Sequence, residues 1–238
     1  MSNTLDLGGT IVEVVYKDIK HVHLSVYPPT GTVRITAPRR TNIQTLRAFA
    51  ISKLGWIRDQ QKKLREQDRQ PPREYLDRES HYLWGRRYLL SVQEADAAPR
   101  VSRKHSRILL QVRPGADVET RDAVMNQWYR EQIRAVAPGL IAKWEPVMGV
   151  KVSRYYVQRM KTQWGSCNPN AATIRLNSEL AKKPRECLEY IIVHEMVHLL
   201  ERNHTERFRA LMDRFLPHWQ HARKRLNAEP LGHEEWAY

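Results

Sequence analysis

The sequence predicts an α+β fold in two parts, and three observations carry that expectation. Alternating apolar and polar residues fill positions 10–37, as in half-buried strands. Two long stretches, after Thr41 and after Asp117, repeat their apolar residues at helical spacing. A short strand–turn–strand pattern then leads straight into an apolar helix that carries H-E-x-x-H. The expected layout is a basic N-terminal region of β-strands with one long helix, residues 1–117, followed by a domain of residues 118–238 in which a β-hairpin precedes the H-E-x-x-H helix.

Val22, Leu24 and Val26 alternate with His21, His23 and Ser25, and after Pro28-Pro29-Thr30-Gly31 the alternation resumes at Val33, Ile35 and Ala37. His21 and His23 share a strand face but have no third partner nearby, so they read as solvent-facing. Thr41 and Gln44 have the spacing of a capping box for a helix running to about Gln67. Its inner stripe is Ile43, Leu46, Ala50, Ile57 and Leu64, and its outer face is basic. Residues 68–80 form a polar, proline-broken linker. Two strands meeting at Gly85 and a further pair from about Arg100 to Arg113 follow; the second pair has five basic residues and no acidic one. Asp117 or Thr120 begins the second long helix, expected to break at Pro138-Gly139 and to end before Pro146. Residues 151–160 and 173–177 read as the two strands of the hairpin, with Cys167-Asn168-Pro169-Asn170 in the turn. Beyond the motif, Thr205 is placed to cap a short helix holding Phe208, Leu211, Met212 and Phe215, and a basic helix follows Pro217. No internal repeat is visible.

A helix turns about 100° per residue, so His194 and His198 project from one face. Glu195 stands one step round, where its carboxylate can reach a water without ligating a metal. That is the pattern of two zinc-binding imidazoles and a general base. His204 is the candidate third ligand. Six residues of continuous helix would carry it to the far side, so the helix must stop first, and Arg202-Asn203 is the expected exit. The spacing resembles H-E-x-x-H-x-x-G-x-x-H, with Glu201 where that pattern has glycine. The apolar run Tyr190-Ile191-Ile192-Val193 buries the helix, which makes uncoordinated histidines and a bare glutamate costly.

Three neutral histidines leave zinc one open position, and Glu195 can relay a proton from attacking water to a leaving group. A developing negative charge needs donors. Arg159, Lys161, Gln163 and Trp164, with the backbone of 164–166, are the substrate-side candidates; Trp164 also reads as a core residue. A sheet edge beside the helix could hold an extended peptide, and residues 173–177 are the strand expected to offer it.

Of 238 residues, 40 are Lys or Arg and 26 are Asp or Glu, a net charge of +14 that favours polyanionic contacts, in particular through the basic N-terminal region. The first residues lack a charged-then-apolar leader, no run reaches the ~18 apolar residues of a membrane span, and two cysteines permit at most one disulfide. A cytoplasmic protein is expected, with no membrane partner.

RMKTQWGSCN, IRLNSELAKKP and EYIIVHEMVHLLERNHTERF together resemble the YgjP-like family of metal-dependent hydrolases, zincin-type metallopeptidases related to SprT-like proteins. TAPRR and LGWIRDQQKKL extend the resemblance over nearly the whole chain. It implies a zincin-like catalytic domain, zinc on His194, His198 and His204, Glu195 as catalytic base, and a site shaped by residues 159–161 and 164–167.

Two hydrolytic functions fit these residues. One is a zinc metallopeptidase acting on a peptide or protein. The other is a phosphoanhydride hydrolase that releases pyrophosphate from nucleoside triphosphates, with Arg159 and Lys161 neutralising phosphates. A purely structural zinc in a nucleic-acid-associated module would have four protein ligands and no use for Glu195.

Overall fold

The structure, a computed structural model, describes residues 3–27, 31–66, 73–160 and 163–228, with backbone alone at 3, 63–66 and 228. By compactness the described residues fall into two units that meet at 70/71. The strands between Ser80 and Val112, grouped from the sequence with the N-terminal region, therefore belong with the second unit. Helix 118–148 packs against them and draws them there.

The first unit holds β1 (Asn3–Asp6), β2 (Ile11–Lys17), β3 (His23–Tyr27), β4 (Thr32–Pro38), α1 (Ile43–Ser52) and α2 (Leu54–Glu66). The sheet order is β1-β2-β4-β3, with the inner pair parallel and both outer pairs antiparallel. Val12, Val14, Val33, Ile35 and Ala37 fill one face and bury Leu46, Ala50 and Ile57 of the helices. His21 and His23 are exposed. The cap of α1 is Asn42, whose Oδ1 accepts from Gln44 N at 2.8 Å, rather than Thr41. The expected single helix is two, joined at Lys53. Leu64 and the turn 28–30 lie outside the described side chains.

The second unit opens with β5 (Ser80–Leu83), β6 (Arg86–Glu94), β7 (Arg100–Lys104) and β8 (Arg107–Val112) in the order β5-β6-β8-β7. The senses are the same as in the first sheet, antiparallel, parallel, antiparallel. A topological repeat therefore exists where the sequence shows none, because strand pairing constrains which faces are apolar and not which residues supply them.

α3 (Val118–Met148) follows, capped by Asp117, whose Oδ1 accepts from Thr120 N at 2.8 Å, and closed by Gly149 in the left-handed region at φ 67°. It runs unbroken through Pro138 and Pro146, against expectation. An interior proline costs a helix ~3 kcal/mol. The buried Met125, Trp128, Tyr129, Ile133, Ala137, Ile141, Trp144 and Met148 outweigh that at roughly 1.5–3 kcal/mol for each large side chain.

The last sheet contains β9 (Arg154–Gln158), β10 (Gly165–Asn168) and β11 (Thr173–Asn177). β10 and β11 form the hairpin, and β9 pairs with β11 in parallel. Residues 173–177 are thus the central strand with both edges taken, so they cannot add a substrate strand. The edge beside the motif helix belongs to β10.

A 3-10 helix, Ser178–Lys182, leads into α4 (Arg185–Val197), which is followed by α5 (Glu206–Phe215) and α6 (Trp219–Ala228). The β5–β6 turn grips this junction: Trp84 N donates to Ala181 O at 2.7 Å and Gly85 N to Lys182 O at 3.2 Å. Gly85 has φ +75°, and a Cβ there would stand 2.8 Å from Pro184 Cγ, so only glycine lets the hairpin seat on the start of α4.

Candidate metal centre

α4 is buried on nearly every side, with Leu188, Ile191, Ile192, Val193, Met196 and Val197 all at or below 3% exposure. This apolar seat fixes the rotation of His194 and Glu195. The helix stops at His198, earlier than the expected exit at Arg202-Asn203 and without a left-handed residue there. Instead, Leu199 N donates to Met196 O at 3.1 Å, and Leu200 N and Glu201 N both donate to Val197 O at 2.9 Å. These tight turns fold the chain back within the span where H-E-x-x-H-x-x-G-x-x-H has its glycine. Thr205 then starts α5 as expected, its Oγ1 accepting from Phe208 N at 3.3 Å.

The outcome is convergence. One ring nitrogen from each of His194, His198 and His204 lies within 4.8 Å of the other two. His194 Nε2 and His204 Nε2 face each other at 3.0 Å. His198 Nδ1 lies 3.1 Å from Glu201 O, a contact that places a proton on Nδ1 and leaves Nε2 as the ligand atom. Burial, then the neighbouring histidines and Arg223, lower His194 to about 3. Burial also lowers His198 and His204, so all three rings are neutral donors at pH 7. His194 Nδ1, on the side of the ring away from the cluster, is buried without a hydrogen-bond partner among the described residues. Three neutral imidazoles, with no fourth protein donor among the described residues, fit a catalytic zinc.

Phe208 packs against all three rings of the cluster. Its ring centre lies 4.9, 4.7 and 4.7 Å from those of His194, His198 and His204. Tyr190 meets His194 edge-on at 5.8 Å and stacks on Trp219 at 6.1 Å. The sequence marked Phe208 only as core; its second role depends on the fold-back at 199–201.

Glu195 is 5% exposed, and its carboxylate has no hydrogen-bond partner among the described residues. Burial raises it to about 8. The floor beneath it is Gly165 of β10. Nearby Cys167 is pushed up to about 12 by burial and by the charge of Glu195.

The substrate-side candidates are placed less simply. Arg159 Nη1 donates to Asp122 Oδ2 at 3.0 Å, and Asp122 also binds Asn126 and Tyr75. That guanidinium ties β9 to α3. Trp164 is buried at 2% exposure and packs in the core, which leaves no face for a substrate. Gln163 is exposed; its carbonyl accepts from Asn177 Nδ2 at 2.7 Å. Lys161 lies outside the described residues. Asn177, unmarked in the sequence and fully buried, also donates to Met160 O at 2.9 Å and caps the 3-10 helix through Glu179 N at 3.0 Å. Its side-chain amide therefore holds both ends of segment 160–163.

Among the described residues, no helix is long and apolar enough to cross a membrane.

No curated protein matches the chain. Among solved structures, the crystal structure of the metallopeptidase zymogen of Pyrococcus abyssi abylysin is similar at 18% identity and a TM-score of 0.35. The likeness covers 37% of this chain and 90% of that one, too slight to carry an argument. The family model described as "YgjP-like, metallopeptidase domain" matches residues 20–229, which takes in β3 and β4 of the first sheet, the whole of the second four-stranded sheet and the histidine cluster. With that span accounted for by one family, the chain belongs to the YgjP-like metallopeptidases.

Proposed function

We propose that the protein is a zinc-dependent peptidase in which His194, His198 and His204 hold the metal and Glu195 is the general base. The observation that carries this reading is the meeting of three neutral imidazoles, within 4.8 Å, with a buried carboxylate that has no hydrogen-bond partner among the described residues. Bound there, zinc supplies Lewis acidity toward a carbonyl oxygen and makes water more acidic. Glu195, lifted toward neutrality by burial, is matched to accept a proton from the attacking water and return it to the leaving amine. β10, the edge strand of its sheet, is placed to align an extended peptide by strand addition. Gly165 leaves room there for the carboxylate to approach the substrate backbone.

The nucleotide alternative loses one of its two named phosphate cations, since Arg159 is engaged by Asp122. The test uses purified, zinc-loaded protein, with Glu195→Gln as control, offered unfolded casein and separately a panel of nucleoside triphosphates. New amino termini that fall by ~10²–10⁴-fold in Glu195→Gln, with zinc content unchanged, are the expected result. Glu195-dependent phosphate or pyrophosphate release without peptide cleavage would replace the peptidase reading with the nucleotide one.

A further inference from the structure

Residues 100–113 hold five basic residues and no acidic one, and the metal centre uses none of them. Strand pairing makes them part of a surface. In the sheet β5-β6-β8-β7, Tyr88, Leu90, Ile108 and Leu110 are buried on one face. The alternate residues of each strand form the other face. Register sets Tyr82 beside Arg87, Leu89 beside Arg107, and Arg107 beside Lys104 on that outer face. Arg100 stands on it at the other end of β7, its Nε donating to Gln111 Oε1 at 3.2 Å. The remaining outward positions of the four strands are Ser, Gln, Leu or Tyr, so these cations share the face with no carboxylate. None of them forms an ion pair with a described residue.

The first sheet has the same topology and treats such a cation differently. There Arg34 faces Glu13 across the β2–β4 pair and bonds it at 2.8 Å. In the second sheet the neighbour of Arg107 across the strands is another cation. A two-residue turn, His105-Ser106, holds Lys104 and Arg107 opposite each other, where like charges destabilise a sheet. An anion bound between them turns that repulsion into attraction on both sides. Arg87, Arg107 and Lys104 lie on the adjacent strands β6, β8 and β7, so the row crosses the sheet over about 10 Å. Beside it run apolar side chains: Leu89, 38% exposed, and the half-buried Leu109. Residues 100–113 contain no aromatic ring, but β5 brings the half-buried Tyr82 alongside Arg87.

We propose that this outer face binds single-stranded nucleic acid, with phosphates on Arg87, Arg100, Lys104 and Arg107 and bases on Tyr82, Leu89 and Leu109. The inference stands apart from the peptidase reading. A phosphate backbone repeats its charge at every nucleotide whatever the base sequence, and it asks of a protein only cations and hydroxyl or amide donors. Ser91 and Ser102 supply the hydroxyls between the two ends of the sheet. A single strand leaves its base faces free to lie on a ring or an apolar side chain, whereas a duplex keeps them in its stack. An acidic peptide would meet the same cations but brings no bases for Tyr82.

The test follows fluorescence anisotropy of labelled oligo-dT and oligo-rU of about 20 nucleotides, and of a duplex of equal length, titrated with the full chain over a range of salt. Four phosphates held on a single strand give log K against log salt a slope of about −2.8, at about −0.7 for each. Lys104→Gln/Arg107→Gln is expected to halve that slope and to weaken binding about 10-fold or more near 0.1 M salt, and Arg87→Gln alone to change the slope by about 0.7. Tyr82→Ser is expected to weaken single-strand binding about 5-fold or more at an unchanged slope. Arg47→Gln/Arg58→Gln removes equal charge from exposed positions of α1 and α2 and is expected to leave affinity within about 2-fold. Separating two facing like charges should leave the melting temperature of Lys104→Gln/Arg107→Gln unchanged or raised, which distinguishes lost binding from lost fold. A parental slope in that variant, an equal loss in the α1–α2 control, a duplex bound as tightly as the single strand, displacement by poly-glutamate at matching charge, or no binding of either oligonucleotide at low salt overturns the proposal. Tighter binding of one oligonucleotide than the other tells whether DNA or RNA is preferred.

Discussion

Glu195 rests on Gly165 so closely that a Cβ on the glycine would lie 2.6 Å from Glu195 Oε1 and 2.9 Å from its Cγ. Ile191 Cγ2, at 2.9 Å from the same point, blocks a sideways escape. The edge strand and the Glu195 side chain are therefore in direct contact, and neither can be altered alone.

Gly165→Ala is expected to push the carboxylate from its seat while leaving the three ligands in place. Overpacking of this kind costs ~1–3 kcal/mol of stability. Peptide cleavage should fall by about 10²-fold or more, in line with the loss of a positioned proton acceptor. Zinc content by atomic absorption should stay at the parental level; loss of the metal in this variant would place the ligands, not the base, over Gly165.

Phe208→Ala removes the ring that touches all three histidines. Destabilisation of ~3–5 kcal/mol is expected for a buried aromatic. Zinc affinity should fall ~10–100-fold, as when groups that orient metal ligands are lost. Phe208→Leu keeps most of the volume without the flat ring, and competition with a chromogenic chelator would show whether ring contact or mere filling orders the ligands.

Asn177→Ala deletes the amide that binds Met160 O, Gln163 O and Glu179 N at 2.9, 2.7 and 3.0 Å. Each hydrogen bond lost at these half-exposed carbonyls is worth ~0.5–1.5 kcal/mol. Urea unfolding should show a lower midpoint with an unchanged slope, and proteolysis of the native protein should become faster around residues 160–163.

Metal-free protein should lose stability as pH rises between about 6.5 and 8. The carboxyl of Glu195 is held up to about 8 by burial, so above its ordinary range the folded state retains a proton that the unfolded state has released. The histidines act in the opposite sense. Their lowered values penalise folding only below the ordinary histidine range, and their effect is complete above it. Above about 6.5 the glutamate contribution therefore acts alone. Thermal melts of metal-free Glu195→Gln should be flat over the window in which the parent declines.

The parts of this protein legible in the sequence are those set by neighbours along the chain. His194 and His198 share a face because a helix repeats every 3.6 residues, and Thr205 caps α5 because its hydroxyl reaches an amide three residues on. The parts that were not legible depend on partners far away. Residues 165–168 are too short and too glycine-, serine- and asparagine-rich to announce a strand, yet β10 takes the edge that residues 173–177 were expected to offer. Pro138 carries a local signal to stop that tertiary burial overrides. Asn177 looks like a turn residue until its three bonds are seen together.

The early end of α4 also determines how much of the protein the metal governs. His194 and His204 are ten residues apart, so a metal joining them closes a loop whose entropy is only about 2 kcal/mol. Such a clasp draws taut a short strap, Leu199–Asn203, and the strands and helices beneath it are held by their own apolar contacts. Chelation should therefore loosen the strap and free its backbone amides for hydrogen exchange while the buried amides of α3 and β11 stay protected, which would make the metal a local fastening of an already folded protein.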